Sequence, residues 1–474
     1  MRIKQQPISL VFFFILATIP LLFGARHPLI QGAYTSLIFF TCGTWAILNF
    51  EKIKPAIFTR AALIIYLLLL FIFFTSLPLP LSLIKLLSPV RAETLAIATN
   101  LTQLKEAVTS LSYYAPETRF YSVYLMALLL YYLCTTHLLR RQTDKRAVLW
   151  IIMAVGSFEA VYGLMQAMSP SLGILWLPST VSAEGCARGT IIYRNQFAAL
   201  LNICWPMAIV LGTILYHPVI RRFKSLKERK KTVSVVDRIA LVFQKAAIPF
   251  WSAAFMILAI IFSRSRGGIL IMLLLAAFFL AMLPFSKRLK ALAAGSLSLF
   301  VLLYGGMIGF QNVTDRFLAF YQGAQGRFLL WLDSISILKD HLLTGIGMGT
   351  YRFLSPLYLK NVSDAALYDF AHNEYLELAI ELGLPAALLL FAWIILQVWH
   401  SGVRVVKAGR QVETFTAFPE DAIIAIGSFC AMSGFLLHGF VDFVWRLPVN
   451  AFYGVTIVAM LNAALSSERP DEKR

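Results

Sequence analysis

Long apolar segments alternate with short charged ones along nearly the whole chain. The hydrocarbon core of a bilayer is about 30 Å thick, so a helix needs about 20 apolar residues to cross it. About twelve segments approach this length and end at charged residues, prolines or glycines. The pattern predicts an all-α fold, a polytopic bundle of about twelve spans, at residues 8–24, 29–50, 61–77, 119–139, 147–168, 192–216, 246–263, 268–285, 291–310, 373–398, 422–441 and 448–464.

The composition agrees with this pattern. Of the 474 residues, 59% are hydrophobic and 14% are charged, whereas soluble domains are about one quarter charged. No ordinary core could bury so much apolar surface, which excludes a cytosolic enzyme. The first apolar segment follows Arg2 and Lys4 but lacks a small-x-small cleavage site, so we expect an uncleaved span. Residues 1–474 are interpreted as a single integral membrane domain.

The net charge of +18 predicts membrane sidedness rather than a nucleic-acid partner, because the basic residues form short runs between apolar segments instead of one continuous face. With the N-terminus inside, 27 of the 42 lysines and arginines fall in cytoplasmic segments. Both termini are therefore expected in the cytoplasm, and three longer segments are expected outside. The first outer segment, residues 78–118, includes a stretch typical of an interfacial helix, and the second is residues 169–191. The third, residues 311–371, is a large loop before the tenth span, which we interpret as a lid or acceptor surface.

The sequence gives no indication of a cofactor. Its five cysteines form no CxxC pair, the carboxylates show no metal-ligand spacing, and no nucleotide-binding motif is present. We therefore expect no disulfide framework, no metal site and no ATP-driven transport.

Polar groups are costly at membrane depth, so they are candidates for function. The predicted topology places four polar clusters at the outer face: residues 193–196, 263–268, 371–375, and the group His438, Asp442 and Arg446. In the second cluster, Arg264 and Arg266 are two apart, and a tight turn at Gly267 and Gly268 would aim both at one anion. With Arg194, they are candidate ligands of a diphosphate, since arginine presents a planar fork of donors to phosphate oxygens. The alternative is that they reach lipid phosphates.

His372 is the candidate general base, because imidazole accepts a proton near neutral pH. It could instead be an ordinary interfacial polar residue. Asn373 and Glu374 are candidate supporting groups, as is Arg327 in the large outer loop. His438 and Asp442 are four residues apart, so on a helix the carboxylate would orient that imidazole, with Arg446 one turn further. The alternative for these three residues is a salt-bridge ladder between the last two helices.

Five sequence stretches carry a family resemblance: YRNQFAALLN, SRSRGG, GRFLLWLDSISILKDHLLTGIGMGTY, AHNEYLELAIELG and LLHGFVDFVWRLPVNA. On these stretches, residues 150–460 resemble the bacterial O-antigen ligase and O-antigen (exopolysaccharide) polymerase superfamily of polytopic membrane glycosyltransferases. The resemblance implies a multi-pass protein of the bacterial inner membrane whose active site faces the periplasm. It also implies membrane lipids and polysaccharide assembly or chain-length proteins as partners.

The resemblance implies a mechanism as well. An undecaprenyl diphosphate-linked glycan would be held by Arg194 with Arg264 or Arg266, and His372 would deprotonate an acceptor hydroxyl. That oxygen would attack the anomeric carbon and invert it, and neither ATP nor a metal would be needed. The acceptor stays open: lipid A core in ligases, a lipid-linked repeat in polymerases, or protein in O-oligosaccharyltransferases. A transporter or flippase of lipid-linked saccharides and an inactive assembly scaffold are the alternatives from other classes.

Overall fold

The computed structural model describes residues 6–51, 54, 59–102, 109–175, 185–228, 247–282, 287–308, 320–362, 368–410 and 419–466. In these ranges the regular structure is helical. The helices are α1 Gln6–Thr18, α2 Pro28–Ile38, α3 Thr44–Leu48, α4 Arg60–Thr75, α5 Leu81–Leu87, α6 Pro89–Thr102, α7 Ala115–Leu138, α8 Gln142–Met168, α9 Arg194–Glu228, α10 Ile248–Phe262, α11 Arg266–Met282, α12 Lys287–Ile308, α13 Phe320–Asp340, α14 Tyr351–Leu354, α15 Glu374–Leu382, α16 Leu384–Arg410, α17 Glu420–His438 and α18 Pro448–Ser466.

The expected all-helical membrane fold is confirmed for the described residues. Six helical segments are long and apolar enough to cross a bilayer: Ala115–Leu138, Gln142–Met168, Arg194–Pro218, Leu384–Gly409, Glu420–His438 and Pro448–Ser466. The other predicted spans coincide with helices whose apolar parts are shorter, such as Ile248–Phe262 and Arg266–Met282. The count of about twelve spans stays a prediction. So does the cytoplasmic placement of the termini, since residues 1–5 and 467–474 lie outside the described ranges.

The predicted tenth span, 373–398, is wrong as a single helix. α15 ends at Leu382 and α16 begins at Leu384, with Gly383 at φ +77° between them. A Cβ at Gly383 would lie 2.5 Å from the carbonyl oxygen of Leu343, so a side chain there would collide with backbone. The apolar run continues through this break, which is why periodicity alone joined a short helix to the membrane helix that follows it.

α9 lies at the centre of the bundle, packed against α8, α10, α17 and α18. Glycines permit the closest approaches. A Cβ at Gly212 would lie 2.8 Å from the ring of Phe250, and one at Gly427 would lie 2.2 Å from Val210. Close backbone approach at small residues stabilises helix pairs in lipid, where the hydrophobic effect adds nothing.

One end of the bundle is closed by ion pairs between the beginnings of α8 and α17. Lys145 Nζ lies 2.5 Å from Asp421 Oδ1 and its side chain is 1% exposed, while Arg146 pairs with Glu420. α17 therefore begins at this cluster and ends at His438, on the opposite side of the bundle, where the polar groups described below gather.

The two large segments expected outside the membrane pack on each other. α5 and α6 lie in the first, and the amide of Tyr113 from this segment donates to the carbonyl of Ile346 in the second. The glycine-rich stretch 345–351 is buried, with Gly345, Gly347 and Gly349 at positive φ. This stretch is thus packed inside the protein. The interpretation of 311–371 as a lid or acceptor surface stays a prediction, and residues 311–319 and 363–367 of that loop lie outside the described ranges.

Candidate active site

Asp442, in the loop 439–447 between α17 and α18, contacts residues of two other polar clusters and Arg327 of the large outer segment. His372 Nδ1 donates to Asp442 Oδ1 at 3.0 Å, and the amide of Phe443 donates to the same oxygen at 2.9 Å. The other carboxylate oxygen accepts from Arg327 Nη2 at 3.3 Å and from Asn195 Nδ2. Groups that are far apart in sequence therefore meet on one buried carboxylate.

Asp442 stays ionised in this setting. Burial alone would raise its pKa, but the hydrogen bond from His372 and the positive charge of Arg327 outweigh that effect and hold the pKa at about 2. An ionised carboxylate can only accept, so Nδ1 of His372 carries the proton of the neutral ring. Nε2 is then the basic nitrogen, and it makes no hydrogen bond to the described residues.

His372 has a constrained backbone, with φ +52°, a region that few non-glycine residues occupy. Its neighbours are fixed on both sides. The Ala371 amide donates to Glu377 Oε2 at 2.7 Å, and Asn373 caps α15 by accepting from the amides of Tyr375 and Leu376, both at 3.1 Å. Such conformations persist only where surrounding contacts impose them, and they concentrate at functional sites. The imidazole remains accessible, with its side chain 30% exposed.

The prediction that Asp442 orients His438 along one helix is wrong. α17 ends at His438, and the chain then turns, with the Asp442 amide donating to the His438 carbonyl at 3.1 Å. The carboxylate bonds to His372 instead. The spacing of four residues implied a continuous helix that Gly439 and the following turn interrupt.

Three arginines lie close enough for their charges to interact, and one of them, Arg327, contacts Asp442. The charges of Arg327 and Arg194 both act on the Arg266 guanidinium. Arg194 and Arg266 are also the first residues of α9 and α11, where the helix dipole adds partial positive charge. These three cations, with the two helix N-termini, form a region suited to an anion carrying more than one charge.

Arg264 lies beside this group in a different role from the one expected. It has φ +55° at the break between α10 and α11, and its Nη2 donates to the carbonyl of Gly185. The predicted turn at Gly267 and Gly268 is wrong, because both residues lie in the first turn of α11. Gly268 instead allows close packing, since a Cβ there would lie 2.5 Å from the Cβ of Ala198.

Arg446 contacts neither the histidine nor the other arginines among the described residues. Its guanidinium lies 3.5 Å from Glu374, 3.1 Å from Glu377 and 2.8 Å from Glu381, and all four side chains are buried. The predicted ladder between the last two helices is therefore wrong, since the three carboxylates belong to α15. Glu374 also accepts from the Trp445 amide at 2.6 Å, so this cluster fixes the loop that carries Asp442.

The sequence placed Asn195 and Gln196 in a candidate polar cluster without assigning either of them a role. Asn195 is a direct partner of Asp442, and Gln196 donates to the carbonyl of Phe443 at 2.6 Å. Both follow Arg194 in the first turn of α9, so the signal was present as consecutive polar residues at the start of an apolar helix. Their partners could not be read from spacing, because they lie 247 residues away.

The fold and the site define a helical membrane protein with a histidine, aspartate and arginine group at one end of its bundle. Residues 251–391 match the family model described as O-antigen ligase. This match supports the resemblance to the ligase and polymerase superfamily. The match includes Arg264, Arg266, Arg327 and His372, and it leaves out Arg194 and the loop with Asp442. No curated protein matches the chain.

Proposed function

We propose that this protein is a membrane glycosyltransferase that moves a saccharide from an undecaprenyl diphosphate-linked donor to an acceptor hydroxyl. The observation that carries the proposal is the contact between His372 Nδ1 and Asp442 Oδ1, 3.0 Å long, beside the cluster of Arg194, Arg266 and Arg327. It supports a general base next to an anion site, as group transfer from a diphosphate requires. The match of residues 251–391 supports the same class.

In this mechanism His372 Nε2 takes the proton of the acceptor hydroxyl. The oxygen then bonds to the anomeric carbon from the face opposite the leaving group, and the bond between that carbon and the diphosphate oxygen breaks with inversion. Asp442 stabilises the imidazolium that forms and keeps the ring in the productive tautomer. The proton then leaves to water or to the departing diphosphate, which restores the neutral base.

The arginines act on the leaving group. As the glycosidic bond breaks, negative charge grows on the diphosphate, and Arg194 and Arg266 are placed to stabilise it together with the helix dipoles. The chief role of Arg264 in this proposal is its hydrogen bond to the carbonyl of Gly185. Direct contact with the diphosphate is its secondary role. The proposal invokes no ATP and no metal, because the diphosphate linkage supplies the driving force.

We place the site at the periplasmic face of the bacterial inner membrane. In support, Arg146 and Lys145 lie at the end of α17 opposite to His438, and basic residues favour the cytoplasm. Labelling of intact cells tests this orientation. The five native cysteines are buried, so a membrane-impermeant maleimide should label Lys360→Cys and not Thr143→Cys. The reverse pattern would invert the topology.

The transfer itself is tested with purified protein in liposomes, lipid-linked saccharide donors and three acceptors: lipid A core, a second lipid-linked saccharide, and a peptide with Ser and Tyr. Wild type should release undecaprenyl diphosphate with one acceptor, which names the subclass. His372→Ala should lose about 10²–10⁴-fold in turnover, the usual contribution of a general base. His400→Ala is the matched control, since His400 is an exposed histidine on α16 bonded to the Leu396 carbonyl.

Two results would contradict the proposal. Full turnover by His372→Ala would refute the base assignment, and saccharide translocation without release of undecaprenyl diphosphate would indicate a transporter. Addition of EDTA should leave the rate unchanged, and loss of activity that Mg²⁺ or Mn²⁺ restores would refute the metal-free mechanism.

A further inference from the structure

An aromatic group of three side chains, Phe443, Phe370 and Tyr193, adjoins the ring of His372. The Phe443 ring lies 5.0 Å from the His372 ring, stacks on Phe370 at 4.1 Å with an interplanar angle of 17°, and meets Tyr193 edge to face at 5.6 Å. Phe443 is buried, while Phe370 and Tyr193 are partly exposed. The exposed surfaces of this group border the space next to the proposed base.

A charged pair lies at the edge of the same group. Arg26 covers the Tyr193 ring, with Cζ 4.3 Å from the centroid, and its Nη2 lies 3.7 Å from Asp369 Oδ2. The side chains of Arg26 and Asp369 are 34% and 48% exposed. An ion pair this exposed contributes little to folding stability, so stability does not account for its position. The exposed parts of the Arg26 guanidinium and the Asp369 carboxylate can therefore bind a ligand.

The backbone that delivers Arg26 is held in an unfavourable conformation. Phe23, Gly24 and Ala25 have φ of +57°, +66° and +56°. Contacts impose this turn: a Cβ at Gly24 would lie 2.9 Å from Val449 Cγ1, and Thr190 Oγ1 donates to the Pro20 carbonyl at 2.8 Å. Left-handed conformations are unfavourable for non-glycine residues, and they are typical of ligand clamps.

Aromatic faces beside a paired cation and carboxylate are the groups that bind a pyranose. The C–H face of a sugar ring packs on the electron-rich face of an aromatic ring, and the guanidinium and carboxylate exchange hydrogen bonds with neighbouring hydroxyls. We propose that Phe370 and Tyr193, with Arg26 and Asp369, form a saccharide subsite next to His372. The inference rests on the proposed transferase function and adds the residues that select the sugar.

The experiment separates sugar recognition from diphosphate recognition. Binding to wild type, Phe370→Ala and Asp369→Asn is measured by calorimetry in detergent with undecaprenyl diphosphate-linked hexoses and N-acetylhexosamines, with the free oligosaccharide acceptor, and with bare undecaprenyl diphosphate. Both variants should weaken binding of one saccharide-bearing ligand by about tenfold and leave bare undecaprenyl diphosphate unchanged. If the variants weaken binding of the lipid-linked donor, the donor sugar occupies the subsite. If they weaken binding of the free oligosaccharide, the acceptor sugar occupies it. Phe353→Ala is the control, since Phe353 packs on Tyr114 in another part of the outer segments.

The binding measurements do not depend on turnover. They can therefore test the saccharide subsite even if the proposed transferase function is wrong. If the protein showed no transfer activity, weaker saccharide binding by Phe370→Ala and Asp369→Asn than by wild type would still support the inference. Unchanged affinity of both variants for every saccharide ligand would overturn it. An equal loss for bare undecaprenyl diphosphate would also overturn it, since the residues would then act on the diphosphate.

Discussion

The loop 439–447 carries two buried charges four residues apart, and their surroundings differ in sign and in access to solvent. Asp442 is one carboxylate among donors, and two of its partners reach solvent: His372 is 30% exposed and Arg327 is 34% exposed. Arg446 is one guanidinium among three carboxylates, all of them enclosed. The first cluster is open with excess positive charge, and the second is closed with excess negative charge.

Burial of charge therefore does not by itself identify a functional site. A closed cluster can stabilise the fold and position a loop, yet it has no surface on which a substrate could bind. An open cluster with excess positive charge attracts an anion, and here it holds a histidine whose second nitrogen is available. The sign of the excess charge therefore supports a catalytic role for the cluster around Asp442 and a structural role for the cluster around Arg446.

Substitution of Arg446 is expected to have the largest effect, and that effect is on folding. Arg446→Met leaves three buried carboxylates without a counter-charge, which costs about 3–5 kcal/mol for a buried pair broken on one side. Thermal unfolding in detergent should show a large drop in melting temperature. Arg194→Met is the matched control, because removal of a cation from the open cluster relieves repulsion and should leave the melting temperature nearly unchanged. A stable but inactive Arg446→Met protein would assign Arg446 to the chemistry instead.

Asp442→Asn should affect catalysis more than folding. The amide keeps the shape, but it no longer stabilises the imidazolium or fixes the tautomer of His372, so we expect a loss of about 10²-fold in kcat with a small change in KM. Asp421→Asn, at the other end of α17, is the comparison. It breaks a buried pair with Lys145 and should lower stability while kcat of the folded fraction stays near wild type. A normal kcat in Asp442→Asn would refute the dyad.

The helical membrane fold was predictable because the apolar runs are long, and the polar clusters were predictable because charge is costly at membrane depth. Sequence spacing failed where the helix was interrupted. It paired Asp442 with His438 across a turn, joined α15 to α16 through Gly383, and assigned Arg446 to the last two helices. Each of these wrong predictions relied on a helical repeat that was taken to continue beyond the end of the helix.

Long-range contacts were beyond any spacing rule. His372 is 70 residues from Asp442, and Asn195 is 247 residues from it. Their meeting depends on how α9, α15 and α17 pack, which hydrophobic periodicity does not encode. The residues of the site could be chosen from the sequence; the pairing that gives each of them a role could not.

The open cluster can be probed further at Arg266. Arg266→Gln removes one charge-assisted interaction with the diphosphate and should lower kcat/KM by about tenfold, in the range expected for a hydrogen bond to a charged group. Arg266→Lys keeps the charge but loses the planar fork, so it should recover only part of the activity. Steady-state kinetics at varied lipid-linked donor give both values. Equal activity of Arg266→Gln and wild type would remove Arg266 from the anion site.

The pH dependence of stability should show the smallest effect, and it sharpens the assignment of roles. The pKa of Asp442 is lowered to about 2 in the folded protein, so its carboxylate contributes stability that is fully present above its unfolded pKa of about 4 and is lost only as the pH falls through about 2. As the pH falls from about 4 to about 2, the difference in melting temperature between wild type and Asp442→Asn should therefore shrink, because the carboxyl group gains a proton in the folded protein only there. Thermal unfolding at a series of pH values checks this. A difference that persists unchanged below pH 2 would mean that the ionised carboxylate of Asp442 does not stabilise the fold.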